Sequence, residues 1–128
     1  MSDWNWINRR VLLLLHDESL AEHGGASGLS DEGLLDSALG RPLNLAMYGE
    51  PGVAGLAASY CLGLAKNHAF VDGNERVAFL AVGLFLGLNG YRLKTTQANA
   101  TLTVLSLAAG ELDEAGFAPW IRAHMQLR

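Results

Sequence analysis

The chain has 128 residues, of which half are hydrophobic and 17% are charged, and its formal net charge at pH 7 is −4. A chain of this size can bury a core of its own, so we expect residues 1–128 to form one soluble domain. The acidic balance and the lack of a Lys/Arg run argue against broad electrostatic binding to nucleic acid or to an anionic membrane.

Cysteine usage and hydropathy indicate the compartment. Cys61 is the only cysteine, so an intrachain disulfide is impossible and a reducing cytoplasm is expected. The first ten residues, MSDWNWINRR, lack the basic-then-apolar order of a signal peptide. The apolar stretches 53–65 and 77–88 are shorter than the ~20 residues of a membrane span, and we interpret them as core helices.

The first part of the chain predicts two helices and a loop. The first helix covers 9–23 with Asn8 as its N-cap, and it stops at a pair of glycines. The second is short, covers 31–39 and has Ser30 as its cap. Because residues 41–50 contain a proline and a glycine and show no clear period, we expect a loop there.

Four further helices are predicted. The third covers 51–67, and the fourth covers 75–89 and is apolar on every side, so we expect it to be the central helix of the bundle. A fifth follows Thr96, and a sixth follows Asp113 and contains Pro119, which implies a late start or a kink. Because alternating strand patterns are scarce, the predicted fold class is all-α.

The stretch HAFVDGNER, residues 68–76, is the strongest candidate site. Gly73 and Asn74 come directly before the fourth predicted helix, whose first N–H groups and positive dipole end form a natural anion site. Glycine lets successive N–H groups point into one concavity and leaves room for a phosphate. Arg76 can add a charged fork to the same phosphate.

Three other side chains of this stretch suit phosphate chemistry. Asp72 is placed to hold a divalent cation that bridges phosphate oxygens, as Mg²⁺ does with one or two carboxylates. His68 can act as the general base for an incoming hydroxyl, and Phe70 would pin the loop to the core. Each residue alone also fits a helix end, a turn or a solvated first turn. Their joint order indicates phosphoryl or nucleotidyl transfer.

A second group of ionisable residues lies on the first predicted helix. A solvated helix face explains it, and a metal site is the less favoured alternative because the HExxH pattern is absent. The group consists of His16, Asp17, Glu18, Glu22 and His23.

The stretch HAFVDGNER resembles the signature of the Fic/Doc superfamily, His-x-Phe-x-Asp/Glu-Gly/Ala-Asn-x-Arg. The flanking stretches resemble its death-on-curing (Doc) branch in order and spacing, so the resemblance covers nearly the whole chain. They are GLLDSALGRP, YGEP, LAASYCLGLAKNHAF and FLGLNGYRL. The resemblance implies an all-α Fic fold, a bundle of about six helices with a buried central helix.

The resemblance also implies an enzyme that transfers a group from Mg²⁺-ATP to a hydroxyl side chain of a protein. His68 would be the base, Asp72 the Mg²⁺ ligand, Gly73 and Asn74 the phosphate nest, and Arg76 the phosphate clamp. In the Doc branch the reaction is phosphorylation of a threonine of elongation factor Tu, which stops translation. Such toxins pair with an antitoxin whose C-terminal segment folds upon them.

The loop 41–50 would correspond to the family's flap, which aligns the target segment. Arg41, Asn44 and Tyr48 are its candidate target-binding residues.

Two positions depart from the family pattern. Phe79 stands where AMP-transferring Fic proteins typically carry a second arginine, which disfavours AMP transfer. Glu75 stands where Doc proteins usually carry lysine, and so places a negative charge beside the phosphate site. Glu75 can turn away as a partner of the helix dipole, join Asp72 on the metal, or leave an inactive Fic-fold binding module. AMP transfer and such a module are therefore the alternatives to phosphotransfer.

Overall fold

The computed structural model of the protein describes residues 3–128, which form six helices and two short strands. The predicted all-α class is confirmed. In chain order the elements are α1 (Arg9–His23), α2 (Glu32–Tyr48), α3 (Gly52–Asn67), α4 (Asn74–Leu88), β1 (Tyr91–Leu93), α5 (Gln97–Ala108), α6 (Glu114–His124) and β2 (Met125–Leu127).

The central helix is α3, not α4 as predicted. Residues Val53–Ala65 are all buried, and α3 packs against α2, α4, α5 and α6. By contrast, α4 leaves Leu80, Gly83 and Leu88 exposed on its outer side. The prediction failed because an apolar composition does not by itself place a residue inside, and exposed leucines are common on protein surfaces.

Helix α2 is longer than predicted, and residues 41–48 are helical rather than a loop. Its cap is Asp31, whose side chain accepts a hydrogen bond from the Leu34 N–H at 3.0 Å, rather than Ser30. Pro42 lies inside the helix, where it removes one backbone donor at a typical cost of ~3 kcal/mol. It is nevertheless buried on the same face as Ala38, so packing against α3 outweighs the local preference.

Close contact between α2 and α3 depends on Gly63. A Cβ atom at this position would lie 3.2 Å from the Ala38 Cα, tighter than ordinary van der Waals contact. The two helix backbones can therefore approach each other because one of them carries a glycine and the other an alanine at the crossing.

Most helix termini lie where the sequence predicts them. Asn8, Thr96 and Asp113 each cap a helix through a side-chain oxygen that accepts from a backbone N–H two or three residues ahead. Helix α6 begins directly after Asp113, so Pro119 does not delay its start. These caps are local hydrogen bonds, which is why they are readable from the sequence.

The strands β1 and β2 form an antiparallel pair that the sequence did not predict. Tyr91 pairs with Leu127, and Leu93 pairs with Met125. Three residues per strand are too few to show an alternating pattern. The pair ties the end of the described chain to the segment that follows α4.

Hydropathy along the described residues gives a further result. Within 3–128, none of the helices combines the length and the apolar character that a membrane crossing requires.

Cys61 offers a direct test of how tightly the core around α3 is closed. Burial raises the pKa of its thiol to about 12. With this pKa, roughly one thiol in 10⁴ is ionised at pH 8. Because only the thiolate reacts, we expect iodoacetamide to alkylate Cys61 only after the protein unfolds. In urea, where the thiol regains a pKa of about 8.5, labelling should be fast when followed by intact mass. Fast labelling in native buffer would contradict this packing.

Candidate active site

His68 ends α3 in a left-handed conformation, with φ 51° and ψ 48°. Among residues 3–128 it is the only non-glycine residue with positive φ. This conformation terminates the helix and turns the chain into residues 69–73, here called the motif loop. His68 itself is exposed. A left-handed non-glycine residue costs about 1–2 kcal/mol, and such strain is frequently found at functional sites.

The N-terminus of α4 opens at Gly73, which adopts a left-handed conformation with φ 76°. No side chain caps this helix, and the N–H of Val77 is the first to bond within it, to the Gly73 carbonyl oxygen at 3.0 Å. The N–H groups of Asn74, Glu75 and Arg76 therefore form the open first turn. This is the geometry of an anion site at a helix N-terminus.

Asn74 and Phe70 hold the motif loop together. Asn74 is 5% exposed, and its Oδ1 accepts from the Phe70 N–H at 3.0 Å. Its Nδ2 donates to the Phe70 carbonyl oxygen at 2.9 Å, while the Phe70 ring is buried in the core. The side chain of Asn74 is thus a fastener, and only its backbone N–H remains for the predicted phosphate nest.

Replacing Asn74 with alanine is expected to lower the free energy of unfolding by about 2–4 kcal/mol, because two buried backbone groups of Phe70 lose their partners. Urea denaturation measures this change. Asn44→Ala, at an exposed position of α2, is the matched control and should alter stability by less than about 0.5 kcal/mol. Equal losses in both variants would contradict the role of Asn74 as a fastener.

Asp72 is exposed and lies near the end of the motif loop, directly before Gly73. Its Oδ1 accepts from the Gly73 N–H at 2.8 Å, and its Oδ2 accepts from the Ala26 N–H at 3.2 Å. A carboxylate offers about four acceptor positions, so two of these bonds leave capacity for a cation. The residue therefore fits a Mg²⁺ ion that is shared with substrate phosphates. Because the Gly73 N–H is already bonded to Asp72 Oδ1, Gly73 supports the predicted nest through its left-handed conformation and not through its N–H group.

Glu75 and Arg76 lie in the first turn of α4. Arg76 is exposed and Glu75 is partly exposed, and within residues 3–128 neither side chain forms an ion pair or a hydrogen bond. A carboxylate here interacts favourably with the positive end of the helix dipole. The same charge lies beside the N–H groups that would receive a phosphate, so the alternatives for Glu75 stay open.

Comparison with known proteins identifies the family. A model described as the Fic/DOC family matches residues 6–86, which include the whole motif loop. The chain belongs to the Fic/DOC family. "Protein kinase doc" of Escherichia phage P1 is 32% identical over 117 residues, covering 91% of this chain and 92% of that protein. "Toxin Doc" of Mycolicibacterium smegmatis is 44% identical over 73 residues, or 55% of each chain. These relatives assign the chain to the Doc branch, as the stretches that flank the motif predicted.

In this Fic/DOC chain residues 41–48 of the predicted flap belong to α2, so the predicted loop conformation is wrong for them. Arg41 donates to Glu114 Oε1 at 2.6 Å and to the Ser59 carbonyl oxygen at 3.4 Å, which ties α2 to α6 and α3. Tyr48 is 86% exposed at the end of α2. Their role in target binding stays a prediction.

Arg41 and Asn44 nevertheless share a cavity with the C-terminal end of α3. They border a cavity of about 440 Å³ that reaches Asn67, the residue before His68. The cavity is lined by Ser37, Arg41, Asn44, Leu62, Gly63, Lys66 and Asn67.

Residues 24–31, here called the support loop, hold the motif loop from the side of α1. A Cβ atom on Gly25 would lie 2.9 Å from Asp72 Oδ2, and Gly25 has φ 125°, so only glycine fits beside this carboxylate. Further contacts are hydrogen bonds from Val71 N–H to Gly28 O, from Ser30 and Asp31 N–H to Ala69 O, and a β-bridge between Leu29 and Phe70. Three glycines within five residues were the available signal.

The solvated-face interpretation holds for Asp17, Glu18, Glu22 and His23 but is wrong for His16, which is buried. Its contact with the motif loop was missed in the sequence. His16 is 2% exposed, its Nε2 lies 2.7 Å from the Asp72 carbonyl oxygen, and its ring stacks on Phe70 at 3.8 Å between centroids. Within 3–128, no three His, Cys, Asp or Glu side chains are grouped so as to hold a metal. The available signal was spacing, because His16 lies four residues from both Leu12 and Leu20 on the buried face of α1.

Proposed function

We propose that this protein is a Doc-type toxin that transfers the γ-phosphoryl group of Mg²⁺-ATP to a hydroxyl side chain of elongation factor Tu and so arrests translation. The observation that carries the proposal is the uncapped N-terminus of α4, which begins directly after Gly73. Three exposed residues lie next to it in the chain, and they are His68 at the end of α3, Asp72 and Arg76. The names of the two relatives, a protein kinase and a toxin, support the proposal.

His68 would begin the reaction by accepting the proton of the target hydroxyl. The hydroxyl oxygen then forms a bond to the γ-phosphorus while the bond between that phosphorus and the β,γ-bridging oxygen breaks. ADP leaves with this electron pair, and the proton stays on His68 until solvent removes it. The exposed His68 side chain supports such a role because an incoming protein segment can reach it.

The phosphates would lie against the first turn of α4, with Arg76 as a charged fork. Asp72 would hold Mg²⁺, which neutralises phosphate charge when it is bound. The support loop keeps the Asp72 carboxylate in place through the Ala26 N–H. Charge stabilisation and positioning are the main needs of phosphoryl transfer, and these groups supply both.

Position 79 favours phosphate transfer over AMP transfer. Phe79 lies one helical turn after Arg76 on α4 and carries no charge, whereas Fic-type AMP transferases typically place a second arginine there. The chain therefore lacks a cation that such enzymes use on the nucleotide phosphates.

The proposal includes a second partner, an antitoxin whose C-terminal segment folds upon the toxin, and a cytoplasmic setting. The relative named "Toxin Doc" supports the toxin role, and the single cysteine supports a reducing compartment. The net charge of −4 supports binding to proteins rather than to nucleic acid or membranes.

Intact-protein mass spectrometry of elongation factor Tu tests the proposal. The target is incubated with this protein, ATP and Mg²⁺, and with EDTA as the matched control. We expect one phosphoryl group on the target that disappears with EDTA. An AMP adduct would instead support Fic-type transfer. No adduct from folded protein would reject the enzymatic proposal, and retained binding of the target would then identify an inactive binding module.

A further inference from the structure

We propose that His16 is a positioning residue that locks the peptide group between Asp72 and Gly73 in the orientation that the anion site requires. The inference deepens the proposed function, because it concerns the same site. The hydrogen bond from His16 is a property of the free protein, so it can be tested without ATP.

The contact itself defines the chemistry. A carbonyl oxygen can only accept a hydrogen bond, so the Nε2 of His16, at 2.7 Å from the Asp72 carbonyl oxygen, must carry the proton. The ring cannot easily turn away, because it is 2% exposed and stacked on Phe70. His16 therefore presents a fixed donor to one end of this peptide group.

The other end of the peptide group is also held. The Gly73 N–H donates to Asp72 Oδ1 at 2.8 Å, and the Asp72 Oδ2 accepts from the Ala26 N–H at 3.2 Å. His16, the peptide group and the Asp72 carboxylate thus form one connected set of hydrogen bonds. Loss of the His16 hydrogen bond would therefore affect the carboxylate of Asp72, the predicted metal ligand, because only one peptide group separates the two.

The lock is needed because Gly73 does not choose an orientation by itself. Gly73 has φ 76°, and glycine adopts negative φ about as readily, so a flip of the preceding peptide group meets no steric barrier from a side chain. A flip would turn the Asp72 carbonyl oxygen to the place where the Gly73 N–H now points. This oxygen would then face the Asp72 carboxylate and any phosphate beside it, which are both negative.

The hydrogen bond joins two distant parts of the chain, because α1 packs against α4 and brings His16 to the motif loop. His16 and Asp72 are 56 residues apart, and His16 comes from the buried face of α1, which packs against α4. Ala at Gly73 would be strained by its positive φ, with its Cβ 3.5 Å from His16 Nε2. The imidazole therefore lies directly beside the residue that opens α4.

The first test uses the wild-type protein without nucleotide. Long-range ¹H–¹⁵N spectra of the histidines report which ring nitrogen carries the proton, and we expect His16 to be protonated at Nε2. A His16 protonated only at Nδ1 would overturn the inference. This measurement needs no variant, so it decides the point even if replacements of His16 fail to fold.

The second test compares His16→Leu, which removes the donor, with His16→Gln, whose side-chain amide can still donate. We expect His16→Leu to shift or double the NMR signals of the Asp72 carbonyl carbon and the Gly73 amide. His16→Gln should restore a single set close to that of the wild type. Signals in His16→Leu that match the wild type would overturn the inference.

The third test measures affinity for Mg²⁺ and a non-hydrolysable ATP analogue by calorimetry. Loss of one neutral hydrogen bond should weaken binding roughly threefold to tenfold in His16→Leu and much less in His16→Gln. Leu12→Val, on the same buried face of α1, is the control for a purely structural loss, and its affinity should be unchanged. Equal weakening in Leu12→Val and His16→Leu would overturn the inference. Absence of binding to the wild type would reject ATP as the substrate, while the first two tests still decide the role of His16.

Discussion

Replacing His68 with alanine is expected to slow phosphoryl transfer to the target roughly 10²- to 10⁴-fold, because the hydroxyl would lose its general base. Initial rates of phosphate incorporation measure the effect. Affinity for Mg²⁺ and an ATP analogue should change little, since the anion site is formed by the first turn of α4 and not by His68. A variant that loses nucleotide binding and transfer together would contradict the role of a base.

The conformation of His68 allows stability to be separated from activity. With φ 51°, His68→Gly should relieve the left-handed strain and raise the free energy of unfolding by about 1 kcal/mol. His68→Asn should be neutral, since asparagine tolerates this region better than most residues. Both variants should be as inactive as His68→Ala. Opposite effects on stability and transfer would indicate that the strain serves the site, whereas a destabilised glycine variant would reject that interpretation.

The helix termini and the order of the motif could be predicted from the sequence because they depend on neighbours along the chain. Asn8, Thr96 and Asp113 bond to N–H groups two or three residues away. The sequence from Gly73 to Arg76 places its groups on one helical turn for the same reason. Such interactions leave a local pattern that composition and spacing reveal.

The second half of α2 could not be predicted in this way, because its stability comes from another helix. Pro42 and the glycines near it indicate a break when they are considered alone. Burial of Ala38 and Pro42 against α3, permitted by Gly63, reverses that preference. The choice of α4 as the central helix failed for a related reason, since both α3 and α4 are apolar and only their packing distinguishes them.

The site was predicted in part. The motif indicated candidate phosphate-binding residues, whose role stays a prediction, but it did not indicate what holds the loop in place. His16 and Gly25 belong to a distant part of the chain and contact Asp72 only after folding. The hydrogen bonds of the Asn74 side chain to Phe70 were not predicted, whereas the place of its backbone N–H in the phosphate nest stays a prediction. Support of this kind requires three-dimensional contacts, whereas the groups proposed to carry the chemistry have characteristic types and spacing.

Replacing Glu75 with lysine is expected to tighten binding of Mg²⁺-ATP about 10- to 100-fold. Two unit charges about 4 Å apart interact by roughly 4 kcal/mol at an effective dielectric near 20, and partial exposure of Glu75 reduces this through solvent screening. Glu75→Gln, which only removes the charge, should produce an intermediate gain. Calorimetry at low and at high salt measures the effect, which should shrink as ionic strength rises.

The control is Glu111→Lys, an exposed position after α5 that gives the same net charge away from the site. It should leave the affinity unchanged. Glu75→Lys should also lower the free energy of unfolding by about 0.3–1 kcal/mol, since a cation replaces an anion at the N-terminus of α4. Tighter binding in a less stable protein would be the signature of a site weakened by Glu75.

The three alternatives for Glu75 then predict different results. If Glu75 turns away as a partner of the helix dipole, Glu75→Lys should change stability but not affinity. If Glu75 joins Asp72 on the metal, Glu75→Gln should weaken binding, and the loss should depend on Mg²⁺. If Glu75 disarms the protein, the wild type should transfer no phosphate to the target and Glu75→Lys should gain transfer. The sign of the change in Glu75→Gln is therefore the decisive quantity, because only metal binding makes removal of this negative charge unfavourable for the nucleotide.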